Sequence, residues 1–164
     1  MSLRFMEWIL SLPKELAVII TAALPVFELR GAIPLGFYLK MPIAKIFILA
    51  LIGNLIPVIP LYFLLRPVSN LLSRKTLFRA FFERLFSYTK KKAEIIQRYE
   101  ALGLMLFVAI PLPVTGAWTG TIAAVLFKIK FKYTLLAVIL GVIIAAIIVT
   151  ALCIIGKISW QIIK

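Results

Sequence analysis

Histidine is absent from this 164-residue chain, and cysteine occurs once, as Cys153. The first absence removes the commonest metal ligand, general base and pH sensor together. The second excludes a disulfide framework and a cysteine-based metal centre. Acidic residues are also scarce: six Asp and Glu stand against 19 Lys and Arg, for a formal net charge of +13. No catalytic nucleophile set, metal-ligand spacing or phosphate-binding loop is recognisable, so neither an enzyme nor a cofactor is expected.

Apolar residues, in contrast, make up 63% of the chain, and the mean hydropathy is +1.10. A domain of this length leaves much of its surface exposed and could not hide so many apolar side chains from water. The composition therefore predicts a single all-α, multi-pass integral membrane domain over residues 1–164. In a soluble protein the positive charge would suggest nucleic acid. Here the cations lie between apolar segments, where the preference for basic cytoplasmic loops accounts for them, and no nucleic acid is expected. At the N-terminus, Glu7, Pro13, Lys14 and Glu15 interrupt the apolar residues before a signal-peptide core could form. Phe5, Trp8, Ile9 and Leu12 are read as a short interfacial face.

Four long apolar stretches follow, and two are broken at their centres. The first, about 14–39, carries Pro25, Glu28, Arg30, Gly31, Pro34 and Gly36 where a simple anchor would be uniformly apolar. Proline removes a backbone donor and restricts its predecessor, so two half-helices are expected there, about 15–24 and 31–39. The second stretch, 43–65, is free of acidic residues, carries Lys45 near its start, and is long enough to span a bilayer, with Pro57 and Pro60 bending its far end. Asn54 is its one strongly polar uncharged side chain apart from Tyr62. Residues 66–100 mix Arg and Lys with Phe, Leu and Tyr, as in an amphipathic helix on a membrane surface, cations toward anionic headgroups. A solvated helical linker is the other reading. The third stretch, about 101–127, breaks at Pro111, Pro113, Thr115, Gly116, Thr119 and Gly120. The fourth, 133–155, is a smooth span.

The order broken, smooth, basic, broken, smooth is an internal repeat. A shift of 85 to 88 positions sets Gly31 on Gly116, Pro25 on Pro111, Lys40 on Lys128 and Gly53 on Gly141. If each broken stretch is a re-entrant hairpin and each smooth one crosses, the halves 1–65 and 101–164 run in opposite senses, an inverted repeat with two tips meeting near the midplane. Twelve basic residues then lie on the side of the 66–100 loop and six on the other, which puts the loop in the cytoplasm. A model with four full spans is the competing topology. A homodimer is expected, because two crossings offer little wall around a pathway.

The motifs Glu28-Leu29-Arg30-Gly31-Ala32-Ile33-Pro34-Leu35-Gly36 and Pro111-Leu112-Pro113-Val114-Thr115-Gly116-Ala117-Trp118-Thr119-Gly120 resemble the small multidrug export protein family, related to the DedA (SNARE-associated, VTT-domain) membrane proteins. The resemblance covers most of the chain. It implies two opposed re-entrant hairpins and the movement of lipids or other amphipathic molecules across a cell (plasma or inner) membrane. In the wider DedA group an acidic residue follows a proline in the first hairpin, as Glu28 follows Pro25. An arginine usual in the second hairpin is replaced here by Thr115.

An ionisable residue at membrane depth points to function. Arg30 could hold a phosphate through its planar fork of donors, and Glu28 could load and release a proton. An ion pair between them is the alternative. Thr115, Thr119 and Asn54 could line the same substrate or proton path. Pro25, Gly31, Pro34, Gly36, Pro111, Pro113, Gly116 and Gly120 are expected to shape the hairpin tips. The readings left open are a proton-coupled transporter, an energy-independent lipid scramblase, and a scaffold that recruits partners through its basic surface.

Overall fold

The computed structural model describes residues 9, 11–72, 93–112 and 115–163. Phe5, Trp8, Pro113 and most of the basic 66–100 region lie outside these. Helix is the one regular secondary structure among the described residues: α1 (Lys14–Ala23), α2 (Glu28–Tyr38), α3 (Ile43–Leu55), α4 (Val58–Leu72), α5 (Ala93–Ala109), α6 (Ala117–Leu126) and α7 (Phe131–Ile163).

Two continuous apolar segments are long enough to cross a membrane, Ile43–Pro67 and Phe131–Ser159. Only 28% of the most apolar window in the first and 39% of that in the second is buried inside the protein. A core helix of a soluble protein would be mostly covered, whereas these present Ile48, Ile52, Leu136, Ile147 and Leu152 outward. Such faces suit hydrocarbon and not water. The first segment is jointed between α3 and α4 at Ile56 and Pro57, where proline cannot supply a helix donor. The second runs without interruption.

The remaining apolar helices are short. With 10 and 11 residues, α1 and α2 reach only about 15 to 17 Å each, half a hydrocarbon core. They fold back on one another. The Lys14 ammonium at the start of α1 donates to the Leu39 carbonyl at the end of α2 at 3.2 Å, 25 positions later. Beside it, Lys45 pairs with Glu15 at 2.6 Å. The Lys45 hydrogen bond holds the Glu15 carboxyl below its ordinary range.

Packing repeats between the halves. α1 lies on α3 as α5 lies on α7, and α2 contacts α7 as α6 contacts α4. Gly53 and Gly141 make these contacts possible. A Cβ on Gly53 would run into the Ile19 carbonyl, and one on Gly141 would come within 2.7 Å of the Met105 carbonyl. Both corners from short helix to span are closed alike. The Met41 N–H reaches the Gly36 carbonyl (3.2 Å) and the Lys40 N–H the Phe37 carbonyl (3.1 Å); Ile129 to Ala124 (2.9 Å) and Lys128 to Val125 (3.1 Å) repeat the pattern. This pair of bonds satisfies orphan carbonyls at a helix end and needs a left-handed residue, ordinarily glycine. Lysine fills it in both halves, at φ 55° for Lys40 and 56° for Lys128.

The halves are also joined where Tyr62, on α4, donates its hydroxyl to the Ile129 carbonyl at 2.7 Å. The ring of Tyr62 packs against Phe63 and Phe131. Tyr62→Phe keeps that packing and leaves the Ile129 carbonyl with only the long 3.4 Å contact from the Thr134 hydroxyl. A loss of about 1 kcal/mol is expected, read as a lower melting temperature in detergent.

The helix starts differ from the sequence expectation at one point. α2 begins at Glu28, three residues before Gly31. Leu29, Ala32, Ile33 and Gly36 form its buried stripe, and this burial carries the helix through Pro34. Gly31, Pro34 and Gly36 are therefore inside α2, and Gly120 is inside α6, away from the breaks where tip residues were expected. Pro25, Pro111, Thr115 and Gly116 do lie in or at the edge of the breaks.

Candidate functional site

The two breaks meet. Glu28, at the first position of α2, takes φ 47°, a left-handed conformation uncommon for a residue with a side chain. That turn sends its carboxylate across to the other half, where Oε1 accepts the Trp118 backbone N–H at 3.3 Å. Trp118 is the second residue of α6, and N–H groups of a helix's first turn have no partner within the helix. A carboxylate there satisfies a free donor and complements the positive end of the helix dipole, a contribution of about 0.3–1 kcal/mol on a surface and up to about 2 kcal/mol when partly buried. Glu28 is 5% exposed.

Arg30 completes the grip. Its guanidinium donates to the Leu112 carbonyl in the second break. The two charged side chains thus do not pair with each other: Glu28 serves the donors at the start of α6, and Arg30 a carbonyl after α5 that also accepts the Thr115 N–H at 3.2 Å. The one ion pair among the described residues is Lys45–Glu15.

The second break is shaped to receive them. Gly116, the N-cap of α6, has φ 149° and ψ −165°, a region that only glycine occupies comfortably. A Cβ at this position would overlap the Glu28 carboxylate. The Thr115 hydroxyl donates to the Ile110 carbonyl at 2.6 Å and accepts the Leu112 N–H at 3.1 Å, holding the broken backbone in shape. Thr119 makes only a long contact, 3.4 Å, to the Gly116 carbonyl. Trp118 contributes twice, since its indole N–H donates to the Ala23 carbonyl at 3.1 Å, at the end of α1. Its position in a Pro- and Gly-rich motif is the one signal in the sequence that this ring does more than fill space.

Behind the junction, Asn54 on α3 is 1% exposed, and its Oδ1 has no hydrogen-bond partner in the protein. It lines, with Glu28, Arg30, Thr115 and Gly116, a cavity of about 10 Å³, the size of one water molecule. The structure therefore brings Glu28, Arg30, Asn54 and Thr115 together, with Thr119 close behind on α6. Among the described residues no His, Cys, Asp or Glu cluster could hold a metal ion.

Residues 28–148, which run from Glu28 at the junction to the middle of α7, match the family described as "Putative small multi-drug export protein". The chain belongs to this family. Membership in a small multi-drug export family, with two helices long and apolar enough to cross a bilayer, makes the chain a membrane protein whose family name describes transport and not catalysis. The match begins at Glu28, just after the first break, and includes the second, so Glu28, Arg30, Asn54, Thr115, Gly116, Trp118 and Thr119 all fall inside it. No curated protein and no solved structure matches the chain.

Proposed function

We propose that this small multi-drug export family member is a DedA-like transporter of the cell membrane, proton-coupled through Glu28, that moves a lipid or another amphipathic molecule along the junction of its two breaks. The observation that carries this reading is the buried Glu28 carboxylate, held at the meeting point of two folded-back segments by a helix end from the opposite half. A charge at that depth is costly, and a purely structural cap has cheaper solutions in Ser, Thr or Asn.

In this reading both broken segments are re-entrant hairpins of an inverted repeat, with α3–α4 and α7 crossing. The return of the first segment to its own starting level, marked by the Lys14 contact to Leu39, supports this. The junction is closed in the present conformation, since a cavity of about 10 Å³ admits water but no lipid headgroup. Passage requires α2 and α6 to separate. Separation releases the Arg30 guanidinium from Leu112, free to hold a phosphate or other anion. It also takes from Glu28 the Trp118 N–H, leaving a charge without its donor in apolar surroundings, which a proton would neutralise. A single water between Asn54 Oδ1 and Glu28 would supply the proton's route. The chain works as a multi-pass protein of the plasma or inner membrane, as a homodimer, with anionic headgroups against the basic 66–100 region.

The deciding measurement is flux in proteoliposomes across an imposed pH gradient, over a panel of fluorescent phospholipids and amphipathic dyes. Flux that follows the gradient is expected for at least one of them. Flux indifferent to the gradient would make the protein a scramblase, and none at all would favour the scaffold reading. Topology is checked separately in a Cys153→Ala background: Lys14→Cys and Lys40→Cys must label from the same face, and labelling from opposite faces would end the hairpin model.

A further inference from the structure

Away from the junction, a second cavity opens between the end of α2 and the end of α7. Its volume is about 810 Å³, within the range of small-molecule sites, and Phe37, Met41, Ile154 and Ile158 form much of its apolar wall. Two cations, Lys40 and Lys157, belong to the same lining, which contains no acidic residue. Lys40 is the left-handed lysine at the α2 corner, and both ammonium groups sit on exposed residues.

Depth along α7 says where this cavity lies. Lys132 and Lys157 are 25 positions apart on one helix, about 37 Å, and the residues between them carry no charge. That interval covers the hydrocarbon core and ends in the headgroup layer on each side. Lys40 and Lys157 are thus at headgroup level while the wall beneath them is apolar. At the opposite end of α7 the equivalent lysine, Lys128, lines a smaller cavity of about 260 Å³ with Arg66 and Lys130.

We propose that the α2–α7 cavity is a binding site for an anionic phospholipid, with its phosphate between Lys40 and Lys157 and an acyl chain against Phe37, Met41, Ile154 and Ile158. Charge complementarity selects the lipid's headgroup, and the apolar wall distinguishes a lipid from a free anion. A lysine at a helix C-terminus also complements the helix dipole, which would by itself account for Lys40. Glycine at that position separates the two roles, because it suits the left-handed backbone better than lysine while removing the cation. The site needs only that the chain be embedded in a bilayer. Its failure would leave the transport reading standing.

Cys153 is the chain's one cysteine and lies in the lining of this cavity, so it reports on the occupant without any added label site. The experiment measures N-ethylmaleimide modification of Cys153 in full-length protein, in nanodiscs of pure phosphatidylcholine or of phosphatidylcholine with 30% phosphatidylglycerol. Phosphatidylglycerol is expected to slow modification by about fivefold or more. Lys40→Gly with Lys157→Gln should abolish that protection, with a melting temperature in phosphatidylcholine no lower than that of the parent. Lys128→Gln, at the other membrane face, should leave protection intact. Equal rates in both bilayers, protection that survives the double substitution, or equal protection by soluble glycerol phosphate would each overturn the proposal.

Discussion

Glu28→Gln is expected to abolish gradient-driven flux while leaving a folded, monodisperse protein. Glutamine keeps an oxygen at the position that accepts the Trp118 N–H, so the bridge between the two breaks persists in weaker, uncharged form. What disappears is the exchange between a charged and a neutral carboxyl, which coupling requires. A fall in flux of at least about 100-fold, near 3 kcal/mol in barrier terms, is the effect sought. Retention of half the parental rate would exclude Glu28 as the proton carrier. Arg30→Ala separates binding from coupling. It loses the contact to Leu112 and any anion-holding role, so flux of phosphate-bearing lipids should fall more than that of cationic dyes.

The second large effect is on stability. Gly116→Ala places a methyl group where the Glu28 carboxylate lies, on a backbone that disfavours any side chain. Strain of about 1–3 kcal/mol and the displacement of a charged hydrogen bond of about 1.5–3 kcal/mol together predict a loss of roughly 3–5 kcal/mol. Most small membrane domains would not survive such a loss, and the readout is a collapse of the monodisperse peak in detergent. Gly103→Ala supplies the contrast. A Cβ there meets nothing within 4 Å, and Gly103 lies within α5, so the change should be neutral or stabilise by up to about 1 kcal/mol. If both substitutions behaved alike, the close fit of Gly116 to Glu28 would be wrong.

Particular residues explain how far the sequence could be read. Proline and glycine located both breaks, because their effects on the backbone are local, and the uninterrupted run of Ile, Val and Ala after Tyr133 identified α7 for the same reason. Pairing Lys40 with Lys128 and Gly53 with Gly141 also rested on local chemistry, and these four turn out to occupy matching corners and close contacts. The start of α2 was misplaced because the reason that Glu28 can open a helix lies 90 positions away, at Trp118. The same distance hid the separation of Glu28 from Arg30. Two charges in one short motif suggest a pair until the other half of the chain is present to offer each a different partner. The bridging role of Trp118 is not legible in the sequence because indole N–H bonds depend on tertiary position, and nothing about Ala23 marks its carbonyl as the acceptor.

That separation has a bearing on how the protein is made. The corners at Lys40 and Lys128 are closed by bonds spanning five residues or fewer and can form as soon as each half is synthesised. The contact from Glu28 to Trp118 cannot. Until α6 has been made and placed, α2 carries a carboxylate with no donor from the opposite half. Completion of the last third of the chain, and not of the first half, is the step that gives the charged end of α2 its donor.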